Sequence, residues 1–171
     1  MKGFCPSCEK DSELNRIRRE EILDIKGEQI PVEVDFFVCE ECGVEFDNPD
    51  PDYDPLKVAY KEYRRRKGMV QPQEIRAFRE KYDLTQRELS ALAGFGGATL
   101  SRYENGALQD EAHDVLLRLI MEPTRLLEVI EEKPHTLSPE KRDAIMQQLR
   151  DEIEKSRFFC FLAARRPFPP G

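Results

Sequence analysis

The sequence contains no run of apolar residues long enough to span a membrane, since a spanning helix needs about 20 of them. The first residues, Met1-Lys2-Gly3-Phe4-Cys5, also lack the apolar segment of a signal peptide. We therefore expect a cytoplasmic protein with no membrane partner, in a compartment where thiols stay reduced. Paired cysteines in such a protein indicate a metal site in preference to disulfides.

Histidine is scarce, because the chain has only His113 and His135, and both lie far from the cysteine pairs in sequence. The sequence also lacks a Ser/His/Asp set, a phosphate-binding loop and a supported pair of catalytic carboxylates. We therefore expect a protein that is not an enzyme, with both histidines as ordinary surface or packing residues. Apolar residues make up 39% and charged residues 36% of the chain. This polar composition favours small domains or an extended helix over one large core.

An excess of basic residues is also missing, because the net charge is −7. The charge is unevenly distributed, however. Residues 1–55 carry 6 Lys/Arg against 16 Asp/Glu, residues 56–106 carry 11 against 6, and residues 107–171 carry 10 against 12. The basic central segment suits a nucleic acid, whose phosphates need neutralising. The acidic N-terminal segment would be repelled by DNA and suits a basic protein partner.

Four of the five cysteines form two C-x2-C pairs, Cys5/Cys8 and Cys39/Cys42. Four thiolates complete a tetrahedral site with no open position, as in structural zinc sites. Between the pairs, residues 14–25 and 29–38 predict two strands joined by a turn at Lys26-Gly27. We expect one structural Zn²⁺ that supplies much of the folding free energy of this hairpin. A rubredoxin-like iron site is disfavoured because Glu9, not glycine, follows the first pair and because few aromatic residues are expected to pack around the cysteines. Thiol redox sensing stays an alternative.

The stretch from Leu84 to Gly106 predicts two short helices. Thr85 and Glu88 form a capping box at the start of the first helix, and Gly94 ends it. The second helix carries Leu100 and Tyr103 inward and Thr99 and Arg102 outward. Two short helices joined by a glycine-containing turn are a helix-turn-helix, whose second helix enters a major groove.

Further helices are predicted on both sides of this motif. A helix over Leu56–Lys67 ends in four basic residues. These cations either stabilise the helix by interacting with its dipole or contact DNA phosphates. Together with helices at 73–82, 110–121 and from Pro123, five helices lie between residues 73 and 131. Ser138 and Pro139 start another helix, which leads into an apolar patch at residues 158–164 that includes a buried Cys160. Packing within the chain, a dimer contact and partner binding are open roles for this extension.

Two segments resemble the Xre/Cro-type helix-turn-helix family, namely Thr85-Gln86-Arg87-Glu88-Leu89 and Leu100-Ser101-Arg102-Tyr103-Glu104-Asn105-Gly106. With the two cysteine pairs in front, residues 5 to about 131 resemble the MqsA/YgiT-type antitoxins. This resemblance implies a homodimeric antitoxin of a type II toxin-antitoxin system. Its C-terminal domain would repress its own promoter at a palindromic operator in double-stranded DNA, and its zinc domain would neutralise a basic, RNA-cleaving toxin. Ala98 stands where the family has asparagine, so its operator sequence is not carried over.

We therefore expect an α+β multidomain protein. Residues 1–54 would form a zinc-bound β-hairpin or ribbon domain that binds the toxin, 55–72 a basic helix and linker, 73–133 a five-helix Xre-type domain, and 134–171 a helical extension and tail. On DNA, we expect Gln86 and Arg87 to hold phosphates and the amides of Gly97 and Ala98 to lie against the backbone. Thr99 and Arg102 would contact base edges, Arg102 at guanine. The alternative is a thiol- or metal-responsive regulator without a toxin partner.

Overall fold

The structure is a computed structural model that describes the backbone of residues 1–164 and the side chains of residues 1–158. The chain divides into two compact units, Met1–Met69 and Val70–Gly171. The described residues form a small antiparallel sheet followed by seven helices, which confirms the predicted α+β fold class. Within this part of the chain, no helix has the length and apolar character needed to cross a membrane. Apart from Phe158, the predicted apolar patch, including Cys160, falls outside the residues whose side chains are described.

The first unit is built on a four-stranded antiparallel sheet in the order β1-β2-β3-β4. The strands are β1 (Lys2–Cys5), β2 (Lys10–Ile25), β3 (Glu28–Cys39) and β4 (Glu45–Asp47). Strands β2 and β3 pair from Leu14↔Cys39 to Ile25↔Glu28. Lys26 and Gly27 connect them with φ values of 52° and 83°, the left-handed conformation that a two-residue hairpin turn requires. The predicted hairpin and its turn are thus confirmed, and β1 and β4 add a short strand on each side.

Helix α1 (Pro55–Lys67) packs on β2 and β3. Ala59 and Tyr63 are its buried apolar residues, and on β3 the alternating Ile30, Val32 and Val34 are buried. The carboxylate of Asp54 caps the helix by accepting a hydrogen bond from the amide of Leu56.

The basic end of α1 is largely neutralised within the first unit. Arg65 and Arg66 both pair with Glu62, Lys67 pairs with Glu28, and Arg64 is buried. These contacts favour a structural role for the four cations over a role on DNA phosphates.

The second unit consists of six helices: α2 (Pro72–Lys81), α3 (Gln86–Ala93), α4 (Thr99–Glu104), α5 (Glu111–Ile120), α6 (Pro123–Glu132) and α7 (Pro139–Ala164). The first five correspond to the five predicted helices. They share one apolar core, whose fully buried side chains include Leu89, Leu92, Leu100, Leu117, Leu126 and Ile130.

The predicted extension begins as part of this core. Ile145 and Leu149 of α7 are buried in it, and the hydroxyl of Ser138 caps the helix by accepting from the amide of Lys141. Lys141 also pairs with Glu88 of α3 at 2.9 Å. The described first half of the extension therefore packs within its own chain.

Candidate metal centre and nucleic-acid interface

The four paired cysteines come together at one end of the sheet. Cys5 ends β1 and Cys39 ends β3, and pairing of both strands with β2 places these two ends side by side. All four Sγ atoms lie within 4.8 Å of one another, with 3.7 Å between Cys5 and Cys42 and 3.9 Å between Cys8 and Cys39. A tetrahedron with metal–sulfur bonds of about 2.3 Å has edges of about 3.8 Å, so the cluster fits a four-coordinate metal ion.

Each cysteine pair sits in the same tight turn. The amide of Glu9 donates to the carbonyl of Cys5, and the amide of Gly43 donates to the carbonyl of Cys39, both at 2.9 Å. Glu9 and Gly43 both have a positive φ, 54° and 70°. This conformation is ordinary for glycine but strained for glutamate. The first turn therefore adopts the geometry of the second although it lacks a glycine.

The sulfurs strongly influence one another's protonation. A hydrogen bond from the backbone of Cys42 lowers the pKa of the Cys39 thiol to about 6. A hydrogen bond with the side chain of Cys42 raises the pKa of the Cys8 thiol to about 12. One sulfur ionises readily while its neighbour keeps a proton, so binding of a metal cation must displace that proton. Cys42 is exposed and Cys8 half-buried, so both are accessible from solvent.

Aromatic residues pack beside the cysteines more closely than the sequence indicated. Phe37 and the partly buried Phe46 belong to the same apolar cluster as Cys5 and Cys39, and their ring centroids lie 6.3 Å apart. The sparse aromatic packing that we expected around the cysteines, one of our two arguments against iron, is therefore not what the structure has. The register of β3 against β4 sets Phe37 opposite Phe46, and this pairing is not visible in the local sequence.

The helix-turn-helix is formed by α3 and α4. Thr85 and Glu88 cap α3 reciprocally, with Thr85 Oγ1 accepting from the amide of Glu88 at 3.2 Å and the Glu88 carboxylate accepting from the amide of Thr85 at 2.7 Å. Gly94 ends α3 with a φ of 76°. Leu100 and Tyr103 of α4 are buried. The predicted capping box, turn and inward face of the second helix are confirmed.

Most of the residues expected to contact DNA lie together on the surface of this motif. Three of them, Gly97, Ala98 and Arg102, lie around the start and outer face of α4, and all three are exposed. Arg87 is exposed on α3, and Thr99 is half-buried. Among the described residues, neither Arg87 nor Arg102 has an ion-pair partner. Both guanidinium groups are therefore available to a phosphate or a base edge.

Gln86 differs from the other expected DNA contacts. Its side-chain amide donates to the carboxylate of Glu104 at 2.8 Å. The guanidinium of Arg79 donates to both oxygens of the same carboxylate, at 2.7 and 3.1 Å. Burial alone would raise the pKa of Glu104, but the hydrogen bonds from Arg79 and Gln86 outweigh it and hold the pKa below its ordinary value. The carboxylate thereby links α2, α3 and α4.

The family described as the antitoxin component of a bacterial toxin-antitoxin system, MqsA, matches residues 1–137. The chain belongs to the MqsA antitoxin family. This membership confirms the resemblance found in the sequence and indicates that the protein is an antitoxin with a toxin partner. The match includes the cysteine cluster and helices α1 to α6 but ends before α7. A comparison with curated proteins gave no match.

In this MqsA-family protein, two residue groups support α4 through contacts that the sequence did not indicate. The first is the ion pair between Arg79 and Glu104. The sequence offered one indication of it, because Glu104 directly follows the inward-facing Tyr103 in a short helix. The second is His113, whose Nδ1 lies 2.6 Å from the Tyr103 hydroxyl and whose ring packs 4.7 Å from Phe95. His113 is thus a packing residue, as expected, and His135 is exposed.

Proposed function

We propose that this chain is a type II antitoxin that binds one structural zinc ion, neutralises its toxin by direct protein contact and represses its own promoter. The observation that carries this proposal is the family match over residues 1–137, which contains both the cysteine cluster and the helix-turn-helix. We assign toxin binding to residues 1–54, with α1 as the connecting basic helix, and DNA binding to residues 73–133. The role is a binding role in the cytoplasm and not a catalytic one.

Zinc is the metal that we assign to Cys5, Cys8, Cys39 and Cys42. The donor set is four sulfurs, and no histidine or carboxylate of the described residues belongs to the cluster. Such a closed site holds structural zinc, and Zn²⁺ exceeds Fe²⁺ in the general affinity order of divalent metals. When bound, the ion would fix the ends of β1 and β3 and supply folding free energy to a small sheet. Metal analysis of the purified chain distinguishes zinc from iron.

For DNA we propose a division of contacts within the helix-turn-helix. Arg102 would bind guanine bidentately, Thr99 would touch a neighbouring base edge, and Arg87 would hold a phosphate. Gly97 and Ala98 present backbone with little side chain at the start of α4, which allows the DNA backbone to approach closely. The side-chain amide of Gln86 already donates a hydrogen bond to Glu104. It would contact a DNA phosphate while keeping that hydrogen bond.

We also propose a homodimer, because α5 exposes an apolar surface. Val115, Leu116 and Leu119 are each 44–48% exposed. Leu116 and Leu119 line a groove of about 370 Å³ that continues onto Val129 of α6. A second copy packed on this surface would remove apolar area from water and present two recognition helices. Two such helices fit a palindrome with half-sites about one helical turn apart.

The decisive experiment for the antitoxin function uses the product of the reading frame adjacent to this gene. Expression of that product alone should arrest bacterial growth, and co-expression of the full chain should restore growth and yield a purified complex. Failure of the chain both to restore growth and to co-purify would refute the antitoxin function. Analysis of the protein's own promoter by gel shift tests repression separately.

A thiol- or metal-responsive regulator is the second candidate, favoured by the solvent access of Cys8 and Cys42. In that case, the affinity of the full chain for its operator should change when the thiols are oxidised or the metal is chelated. In the antitoxin, chelation should abolish toxin binding and leave operator binding by the helix-turn-helix in place. The two candidates therefore predict opposite results in one gel-shift titration.

A further inference from the structure

The first unit carries a groove of about 350 Å³ on its sheet, bordered by the segment that leads into α1. Its floor is apolar and includes Leu23 of β2 and Val34 and Phe36 of β3. Its lining also includes four carboxylates, those of Glu21, Asp35, Asp47 and Asp54. The groove therefore combines an apolar floor with acidic walls.

Two of these four carboxylates are not neutralised by the protein. Within the described part of the chain, Glu21 and Asp47 have no ion-pair partner, and both are exposed. Asp54 caps α1 and lies 3.9 Å from Lys57. Asp35, which also borders the groove, is different because Arg16 and Arg18 both bind its carboxylate. Residues 1–69 together carry 12 Lys/Arg against 17 Asp/Glu, so the unit as a whole attracts cations.

One arginine of the same sheet already binds an aromatic ring and a carboxylate together. The guanidinium carbon of Arg19 lies 4.9 Å from the centroid of the Phe36 ring, and the guanidinium group pairs with the carboxylate of Glu45. The arginine thus places its flat cation on an aromatic ring and its charge against an acid. Phe36 also lines the groove. Glu21 and Asp47 are exposed carboxylates like Glu45, but no arginine of the described residues pairs with them.

We propose that this groove is the docking site for a basic segment of the toxin. Its apolar atoms lie along Leu23 and Phe36, one cationic side chain pairs with Glu21, and a second pairs with Asp47. This inference rests on the proposed antitoxin function, because it requires a basic protein partner. It goes beyond that function by naming the surface and the chemistry that recognise the toxin. A nucleic acid is excluded as occupant because its phosphates would meet two uncompensated carboxylates.

The test compares three full-length proteins for binding to the purified product of the adjacent reading frame. The groove variant combines Glu21→Gln with Asp47→Asn, which removes two charges and keeps the side-chain shapes. The matched control combines Glu20→Gln with Asp11→Asn, which also removes two unpaired, exposed carboxylates of β2. Glu20 is the direct neighbour of Glu21, and successive residues of a strand face opposite sides. Unchanged metal content and circular dichroism establish that each variant is folded.

We expect the groove variant to bind at least about tenfold more weakly than the native chain, because the carboxylates that pair with the two docked cations are both lost. The control should stay within about twofold, since removing exposed rim charges changes affinity little. Binding by the native chain should also weaken more steeply with added salt than binding by the groove variant.

Equal affinity of the groove variant and the native chain would overturn the inference, and so would equal weakening in both double variants, which would indicate a general charge effect. If the native chain itself does not bind the adjacent gene product, the proposed antitoxin function fails and not only the groove. The two failures are therefore distinguishable.

Discussion

Replacing Glu104 by Gln should destabilise the second unit strongly, because this carboxylate is almost completely buried. Its side chain is 1% exposed, and it binds Arg79, which is itself 16% exposed, through two hydrogen bonds. Removing one partner of a buried ion pair costs about 3–5 kcal/mol, since the other charge is left without compensation. The introduced amide would keep one acceptor oxygen, and Arg79 would keep its bond to the carbonyl of Leu84 at 3.1 Å. We therefore expect a loss of about 2–3 kcal/mol.

Chemical denaturation followed by circular dichroism at the helix signal measures this loss, because the second unit contains six of the seven described helices. Such a loss is a large part of the roughly 5–15 kcal/mol by which domains are stable. Glu80→Gln is the control, since Glu80 is exposed and lies 3.7 Å from Arg79. It should change stability by less than about 0.5 kcal/mol. If Glu104→Gln were as mild as Glu80→Gln, the carboxylate would not be holding the three helices together.

The same carboxylate predicts a pH dependence. The folded-state pKa of Glu104 is lowered from its ordinary value of 4.5. The unfolded state therefore binds the proton more tightly, and the stabilisation by Glu104 is fully present above pH 4.5. It is lost as the pH falls through the lowered pKa. Acid unfolding of the native chain should show this loss, and the Glu104→Gln variant should lack this component.

Four further substitutions test the DNA surface, the dimer and the first cysteine turn. Arg102→Ala should cost about 1–3 kcal/mol on the operator and relax its base preference, whereas Arg87→Ala should weaken operator and random DNA alike in gel-shift titrations. Leu116→Glu should convert a dimer to a monomer in sedimentation analysis, because it puts a charge into an apolar contact. Glu9→Gly should stabilise the metal-bound chain by about 1 kcal/mol in thermal unfolding, because Glu9 is held at a φ of 54°. Destabilisation by that change would mean that the Glu9 side chain itself supports the turn.

Local interactions determined which features of this protein were visible in its sequence. The capping box of Thr85 and Glu88, the left-handed end at Gly94 and the cap at Ser138 each involve residues within about four positions of one another. The turn at Lys26-Gly27 is equally local. The cysteine spacing indicated a metal site because two residues between paired thiols place both sulfurs on one ion.

The tertiary structure decided the features that join distant residues. Strand pairing brought Cys5 beside Cys42 and placed Phe46 next to Phe37, which no local pattern could indicate. The link from Gln86 to Glu104 spans 18 positions, and it gives a residue that we expect at a DNA phosphate a second role as a support for α4. The acidic groove likewise combines residues of β2, β3, β4 and the approach to α1. The sequence by itself therefore determined the helices, the hairpin and the candidate ligands, because neighbouring residues specify them. Only the folded chain decided which charges are neutralised and which stay available to a partner, because those pairings depend on contacts across the fold.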